Sequence, residues 1–145
     1  ARWAMLGAMG VISVEALGYG DWYSAALAPT QTYFGTEVPF DVPTLAIIEF
    51  LAMAYLEAKR NEETDPVKRC YPGGAFDPMG MSKDAAKFEE LKLKEIKNGR
   101  LAMLAMAGFY AQTSTGTTPL ANWAAHVADP WHVNVSTNAI AIPYL

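Results

Sequence analysis

The lysine and arginine residues of this chain are sorted along the sequence in a way that limits its fold. Nine of the 11 lie between positions 59 and 97, and the other two are Arg2 and Arg100. Residues 17–42 contain none, and neither does the tail after Arg100. In membrane proteins the positively charged loops gather on one side of the bilayer, and loops without positive charge lie on the other. The sorting therefore predicts three membrane-spanning segments.

Apolar runs bounded by turn residues mark the helices, and no segment shows a strand pattern. The four predicted helices run from about Arg2 to Val14, from Pro43 to Arg60, from Ser82 or Glu89 to Gln112, and over 119–129. The apolar run 101–111 has eleven residues, fewer than the roughly 18 that mark an obvious span. Hydropathy alone thus favours a soluble helical core. The charge sorting favours an all-α membrane protein with three transmembrane helices.

Composition narrows the class of protein further. The 145 residues have the length of a single domain, and the chain begins within a helical run, so we expect the start of the first helix to be missing. A net charge of −4 without a basic stripe argues against a nucleic-acid partner. The two histidines have no nucleophile and orienting group in a plausible triad. A soluble helical enzyme is therefore only the runner-up, and we expect no enzyme.

Polar side chains inside the predicted spans need a role, because such groups are costly at membrane depth and are usually paired or functional. They are Arg2, Glu49, Glu57, Glu95, Asn98, Arg100 and Gln112. Glu57 and Arg60 are three residues apart and can neutralise each other on one helix. Asn98 and Gln112 are 14 residues apart, nearly on the same helix face. Glu95 lies within about 60° of that face.

Single donors at different depths restrict the group that they can bind. A catalytic metal needs three or four convergent ligands, which this spacing cannot supply. A chlorophyll needs one axial ligand, since four ring nitrogens already hold its magnesium, and magnesium prefers oxygen donors. The third helix therefore fits a series of chlorophyll ligands. A membrane proton relay also uses buried carboxylates, but it has no use for the amides of Asn98 and Gln112.

Two segments carry a resemblance to a known family. "RWAMLGA" at 2–8 and "EIKNGRLAMLA" at 95–105 are similar to the two signature repeats of the light-harvesting chlorophyll a/b-binding proteins. "AIIEFLAMAYLEAKR", "YPGGAFDPMG" and "PLANWAAHVADPWH" follow the family's order and spacing. The stretches "EALGYGDWY" and "ADPWH" look most like the type-1 antenna subunit of photosystem I in green algae and plants.

The resemblance implies that the first and third helices cross as a pseudo-twofold pair, followed by a short amphipathic C-terminal helix. Each arginine then reaches a glutamate of the other helix, so that Arg2 pairs with Glu95 and the partner of Arg100 lies upstream of Ala1. The small residues that suit a close crossing are Ala4, Gly7, Ala8, Ala102, Ala105 and Gly108. The apolar stripe of the C-terminal helix consists of Leu120, Trp123, Ala124 and Val127.

The resemblance also implies which residues hold pigment. The implied axial ligands of chlorophyll magnesium are Glu49, Glu57, Glu95, Asn98, Gln112 and His126. The arginines that complete the binding sites by pairing with carboxylates are Arg2, Arg60 and Arg100. Glu49 can alternatively face a polar cavity, and His126 can be a structural histidine. His132 fits a surface residue better than a ligand.

The implied function is that of a light-harvesting antenna in one chlorophyll-binding domain covering residues 1–145. The implied cofactors are chlorophyll a, chlorophyll b, carotenoids (lutein, violaxanthin and β-carotene) and bound lipid. The implied partners are the photosystem I core, neighbouring light-harvesting subunits and thylakoid lipid. The chain would cross the chloroplast thylakoid membrane with loop 61–94 stromal, and with 17–42 and the C-terminus lumenal. A pigment-poor photoprotective relative that senses pH on the same scaffold remains an alternative.

Overall fold

The computed structural model describes residues 1–28 and 30–140 and is mostly helical. The helices are α1 Arg2–Ala16, α2 Val42–Asn61, α3 Pro66–Cys70, α4 Ala85–Thr113 and α5 Pro119–Ala128. The four predicted helices correspond to α1, α2, α4 and α5, and each is confirmed with small shifts at its ends. The short α3 lies in the polar loop after α2. Its five residues are too few to show an apolar period, so the sequence does not predict this helix.

Local sequence explains where α2 begins and ends. The side chain of Asp41 caps the helix by accepting a hydrogen bond from the backbone N–H of Thr44, with an N···O distance of 3.1 Å. Pro43 occupies the first turn, where its missing N–H costs nothing. Lys59 and Arg60 lie in the last turn, where positive charge interacts favourably with the helix dipole. The ends of the second predicted helix are therefore encoded locally.

A small hairpin lies between α1 and α2, so the expectation of no strand is wrong. β1 Thr32–Tyr33 pairs in antiparallel fashion with β2 Thr36–Glu37. The connecting residues Phe34 and Gly35 have φ angles of 49° and 81°, the positive signs that a type I′ turn requires. Strands of two residues cannot show alternation, and phenylalanine is an unusual residue at positive φ. The sequence therefore carries no recognisable hairpin signal.

The described chain forms two compact units. The first contains Ala1–Ala28 and the chain from Ile96 onward, and it includes α1, the later part of α4 and α5. The second ends at Glu95 and includes the hairpin, α2, α3 and the beginning of α4. Within the first unit α1 packs against α5. Each candidate ligand can therefore be assigned to one of the two units.

Within the first unit, α1 and α4 approach each other closely at glycine. A Cβ atom placed on Gly99 would lie 2.7 Å from the Cβ of Ala1, and one placed on Gly7 would lie 3.4 Å from Sδ of Met106. Ala102, also on α4, is buried. The expectation for Gly108 is wrong, because no described atom lies within 4 Å of its Cβ position. Gly99, which the sequence analysis did not select, takes the role of close-contact residue.

Most large apolar side chains on these helices are exposed. Among the described residues, the buried apolar side chains are Val11, Ala102 and Pro119, and α2 buries no residue at all. Exposed examples on α1, α2 and α4 are Trp3, Leu6, Met9, Ile47, Phe50, Leu51, Leu101 and Leu104. No helix within the described ranges combines the length and the apolar content required of a membrane span. Three transmembrane helices therefore stay a prediction.

Candidate functional site

Glu95 is a half-buried carboxylate on α4 that another segment of the chain holds in place. The hydroxyl of Tyr71 donates a hydrogen bond to its Oε2, with an O···O distance of 3.0 Å. Tyr71 directly follows α3, so the contact joins two segments of the second unit that are 24 residues apart. A predicted magnesium ligand thus already has a defined hydrogen-bond donor.

The ring of Tyr71 is itself fixed against α4. It makes an edge contact with Phe88 at a centroid distance of 5.3 Å. The ammonium of Lys92 lies 4.2 Å from the Phe88 ring centroid and 5.4 Å from that of Tyr71. Phe88, Lys92 and Glu95 follow one another at i, i+4 and i+7, so they share one face of α4. The Tyr71 side chain therefore lies along this face of α4, and its hydroxyl reaches the Glu95 carboxylate.

Glu57 and Arg60 form the ion pair that their spacing predicts. The guanidinium Nη2 of Arg60 donates to Oε2 of Glu57 one turn away on α2. Glu57 is half-buried, and Arg60 is exposed. The pair puts a carboxylate with a neutralising partner near the end of α2, as the sequence analysis expected.

Glu49 lies in the middle of α2 with its side chain exposed. Its neighbours one turn away on either side are Ala46 and Ala52, which are exposed as well. These alanines project only methyl groups, whereas Leu45 and Met53, four residues away on either side, are larger and half-buried. Glu49 is therefore an exposed carboxylate among apolar side chains of mixed size on α2.

Asn98 and Gln112 both lie on the part of α4 that belongs to the first unit. Asn98 is exposed, and Gln112 is half-buried. At a rise of about 1.5 Å per residue, the 14 residues between them correspond to about 21 Å along the helix axis. The two amides therefore offer separate sites, and they cannot share one ion.

His126 lies in the last turn of α5 with a defined ring orientation. Its Nδ1 is 2.6 Å from the backbone carbonyl oxygen of Val133. A carbonyl only accepts hydrogen bonds, so this contact requires the proton on Nδ1. In that tautomer Nε2 carries the lone pair that a metal needs, which is the usual arrangement in histidine ligands.

Glu15 anchors the beginning of α5 to the end of α1. Its carboxylate accepts hydrogen bonds from the backbone N–H groups of Leu120 and Ala121 at 3.0 Å each, and from the hydroxyl of Thr118. These N–H groups have no partner within the helix, and the positive end of the helix dipole attracts a carboxylate. The contact positions α5, and with it His126, against α1 within the first unit.

Arg2 and Arg100 are both exposed, at the first residue of α1 and inside α4. The implied pair of Arg2 with Glu95 involves both units and stays a prediction. The implied partner of Arg100 stays a prediction as well.

The candidate ligands are separate donors. Within residues 1–28 and 30–140, no three His, Cys, Asp or Glu side chains are grouped so that they could hold a metal ion. Glu49, Asn98 and His126 stand on exposed helix surfaces instead. One oxygen or nitrogen donor on an apolar surface matches the single axial position of a magnesium ion that a ring already holds. The chemistry of these donors therefore fits chlorophyll.

A comparison with known families agrees with this donor chemistry. Residues 1–114 match the family described as Chlorophyll A-B binding protein. The match includes α1, α2 and α4, and with them every candidate ligand except His126. The chain belongs to this family. It also shares high identity with individual members over almost its whole length.

Three relatives illustrate this similarity. Chlorophyll a-b binding protein 1B-21 of Hordeum vulgare is 59% identical over an alignment of 150 residues, covering 98% of this chain and 60% of the relative. Chlorophyll a-b binding protein 6 of Arabidopsis thaliana is 56% identical over 151 residues, covering 99% and 62%. Photosystem I chlorophyll a/b-binding protein 3-1 of the same plant is 35% identical over 170 residues, covering 94% and 60%. The chain thus spans about three fifths of each relative's length.

Tyr71, Glu15 and Gly99 are the positions around the site that the sequence analysis missed. Tyr71 lies in the quoted segment "YPGGAFDPMG", but nothing in the segment indicates that its hydroxyl reaches α4. Glu15 shows no spacing relation to α5, which is about a hundred residues away. Gly99 lies in the quoted "NGR" and could have been found as a small residue one turn before Ala102 on the helix.

Proposed function

We propose that this chain binds chlorophylls and carotenoids and passes absorbed light energy to a photosystem. The observation that supports this most directly is the row of single donors on exposed, mostly apolar helix surfaces, in a chain of the chlorophyll a-b binding family. The ligands are Glu49, Glu57, Glu95, Asn98, Gln112 and His126. Bound chlorophyll supplies light absorption and excitation transfer, and no bond is made or broken.

The protein's own residues hold and orient the rings. Arg60 neutralises Glu57 on α2, so the magnesium site there is neutral overall when the carboxylate is the ligand. Arg2 and Arg100 do the same for carboxylates of the crossed helix pair. The surrounding apolar side chains keep water from the rings. Nearby charged and polar groups of the protein tune the excitation energies.

The exposed apolar surface supports a place in the thylakoid membrane. The 20 residues of α2 correspond to about 30 Å, the thickness of the hydrocarbon core. Here α1, α2 and α4 are the three spans, with α5 at the interface, where Trp123 and Val127 present an exposed apolar face. The basic loop 61–94 lies on the stromal side, and residues 17–42 and the C-terminus face the lumen.

The proposed partners are the photosystem I core, neighbouring light-harvesting subunits and thylakoid lipid. The relative named as a photosystem I protein is 35% identical to this chain, and it supports this choice of photosystem. The proposed cofactors besides chlorophylls a and b are lutein, violaxanthin, β-carotene and bound lipid. Carotenoids in the grooves beside the crossed helices would brace the pair.

Refolding with pigments tests the proposal. The chain is refolded in detergent with extracted chlorophylls and carotenoids, and Asn98→Leu is compared with Met103→Leu as a matched control. Both positions are exposed on α4, but only Asn98 offers an oxygen donor. We expect Asn98→Leu to lose chlorophyll and the corresponding visible circular dichroism bands, with helix content kept. Met103→Leu should match the wild type.

Two results would overturn the proposal. A wild-type chain that forms its helices without binding pigment is not an antenna protein, and the proton-relay alternative then accounts better for the carboxylates. Equal pigment content and spectra in Asn98→Leu and Met103→Leu would remove Asn98, and the series of ligands on α4, from the proposed site.

A further inference from the structure

We propose that Tyr71 is a positioning residue for Glu95, holding one carboxylate oxygen so that the carboxylate presents a fixed direction to a chlorophyll magnesium. This inference rests on the proposed function, because it concerns the binding of a pigment by Glu95. It adds a residue that lies outside the two repeats and outside the series of donors on α4.

The hydrogen bond from Tyr71 restricts the movement of the Glu95 carboxylate. The Tyr71 hydroxyl lies 3.0 Å from Oε2 of Glu95. An ionised carboxylate only accepts hydrogen bonds, so the phenol is the hydrogen-bond donor. An ionised carboxylate has about four lone-pair sites, so accepting this bond does not prevent it from coordinating magnesium. The bond instead limits the rotation of the carboxylate about its last side-chain torsion.

Tyr71 is held independently of Glu95. Its ring packs edge-on against Phe88, with an interplanar angle of 85°. Lys92 lies over the rings of both residues, and Oε1 of Glu89 holds its ammonium in an ion pair at 2.7 Å. A donor whose ring is fixed by its neighbours can orient a ligand, whereas a freely rotating hydroxyl would only follow it.

A hydrogen bond to one oxygen fixes the direction of the carboxylate and changes the distribution of its charge, and both affect a ring bound through the other oxygen. Partners of this kind orient ligands and tune metals, and removing them typically lowers metal affinity by about 10-fold to 100-fold. The hydroxyl of Tyr71 is thus expected to set both the occupancy and the absorption energy of the chlorophyll at Glu95.

Tyr71→Phe tests the inference, because it keeps the ring contacts and removes only the hydroxyl. The control is Tyr23→Phe, which also removes a hydroxyl hydrogen bond, the one to the Gly116 carbonyl at 3.3 Å in the first unit. Both are refolded with pigments at decreasing chlorophyll concentrations. We expect Tyr71→Phe to need about tenfold more chlorophyll to fill one site. Its low-temperature absorption difference spectrum should show the shift of one chlorophyll band.

A double-mutant cycle separates positioning from general stability. In the Glu95→Leu background, Tyr71→Phe should cause no further spectral change, because leucine neither accepts the hydrogen bond nor binds magnesium. Phe88→Leu, which keeps the hydroxyl but loosens the ring, should shift the same band by a smaller amount. This variant decides the matter should Tyr71→Phe fail to fold.

The outcomes also distinguish this inference from the proposed function. A wild type without pigment overturns the antenna proposal and this inference together. A wild type that binds pigment, with Tyr71→Phe and Phe88→Leu both spectrally equal to Tyr23→Phe, overturns the inference alone.

Discussion

Asp77 is a loop carboxylate whose hydrogen bonds favour its ionised form. The hydroxyl of Ser82 donates to Oδ2 at 2.5 Å, and the backbone N–H groups of Ser82 and Met81 donate at 2.9 Å each. The Ser82 hydroxyl and then these N–H groups lower the pKa of the Asp77 carboxyl below its ordinary value. The Asp77 side chain thereby links the residue after the 3₁₀ turn at Gly74–Phe76 to the next 3₁₀ turn, at Met81–Lys83.

The direction of this shift predicts how the loop responds to acid. Because the pKa of Asp77 is lower in the folded chain than in the unfolded chain, the carboxylate stabilises the loop above the unfolded value of about 3.9. That stabilisation is lost only as the pH falls through the folded pKa. The loop should therefore keep its form in mildly acidic solution.

Carbon-13 NMR of labelled aspartate measures this prediction. The midpoint for Asp77 in the folded chain should lie below its midpoint in denaturant, and Ser82→Ala should raise it toward the denatured value. An Asp77 midpoint in the folded chain equal to or above the denatured one would contradict the assignment of these hydrogen bonds.

The contact of α1 with α4 depends on the absence of one side chain. Gly99 is buried, and its Cα lies so close to Ala1 that a methyl group would come within 2.7 Å of another methyl group. Backbone atoms of Ala1 follow at 3.4 and 3.8 Å, so no flexible side chain can move away to make room. Gly108, on the same helix, has open space around its Cβ position among the described atoms.

These two glycines make a matched pair of substitutions. Gly99→Ala should destabilise the fold by about 1 to 3 kcal/mol, the usual range for overpacking. Gly108→Ala should be neutral or stabilise by up to about 1 kcal/mol, since alanine is the better helix former. Thermal unfolding followed by far-UV circular dichroism measures both. Equal melting temperatures for the two variants would show that α1 and α4 do not meet at Gly99.

Most large apolar side chains of the described residues are exposed, and nine of the 11 basic residues lie between positions 59 and 97. Leu6, Phe50 and Leu104, one on each long helix, have exposed fractions of 67%, 72% and 74%. Apolar surface on this scale is normally covered by a partner, a lipid phase or a ligand. Lipid and pigment together would cover it in the arrangement that we propose.

Labelling of cysteines from one side of the membrane tests this arrangement. Cys70 is the single cysteine of the chain and is exposed in the connection between α2 and α4. Thr36→Cys in a Cys70→Ser background places a thiol in β2, between α1 and α2. In sealed vesicles of uniform orientation, a membrane-impermeant maleimide should label only one of the two thiols from outside. The other should react after the vesicles are opened. Labelling of both from the same side would contradict three spans.

Interactions within one helix were readable from the sequence. The pairing of Glu57 with Arg60 follows from a three-residue spacing, and the start of α2 near Pro43 follows from the preference of proline for the first helical turn. The same applies to the shared face of Asn98 and Gln112. These features depend only on the geometry of an α-helix, which is the same in every protein, so spacing along the chain is sufficient.

Contacts between segments that are distant in the sequence could be identified only from the tertiary structure. Tyr71 meets Glu95 across 24 residues, and Glu15 meets Leu120 across 105. No periodicity in the sequence links these positions, because their separation depends on how intervening turns direct the chain. The hairpin at Phe34 likewise rests on a backbone conformation that its side chain does not favour. The sequence thus determined the helices and the types of donor along them, and tertiary packing determined which side chains hold those donors in place.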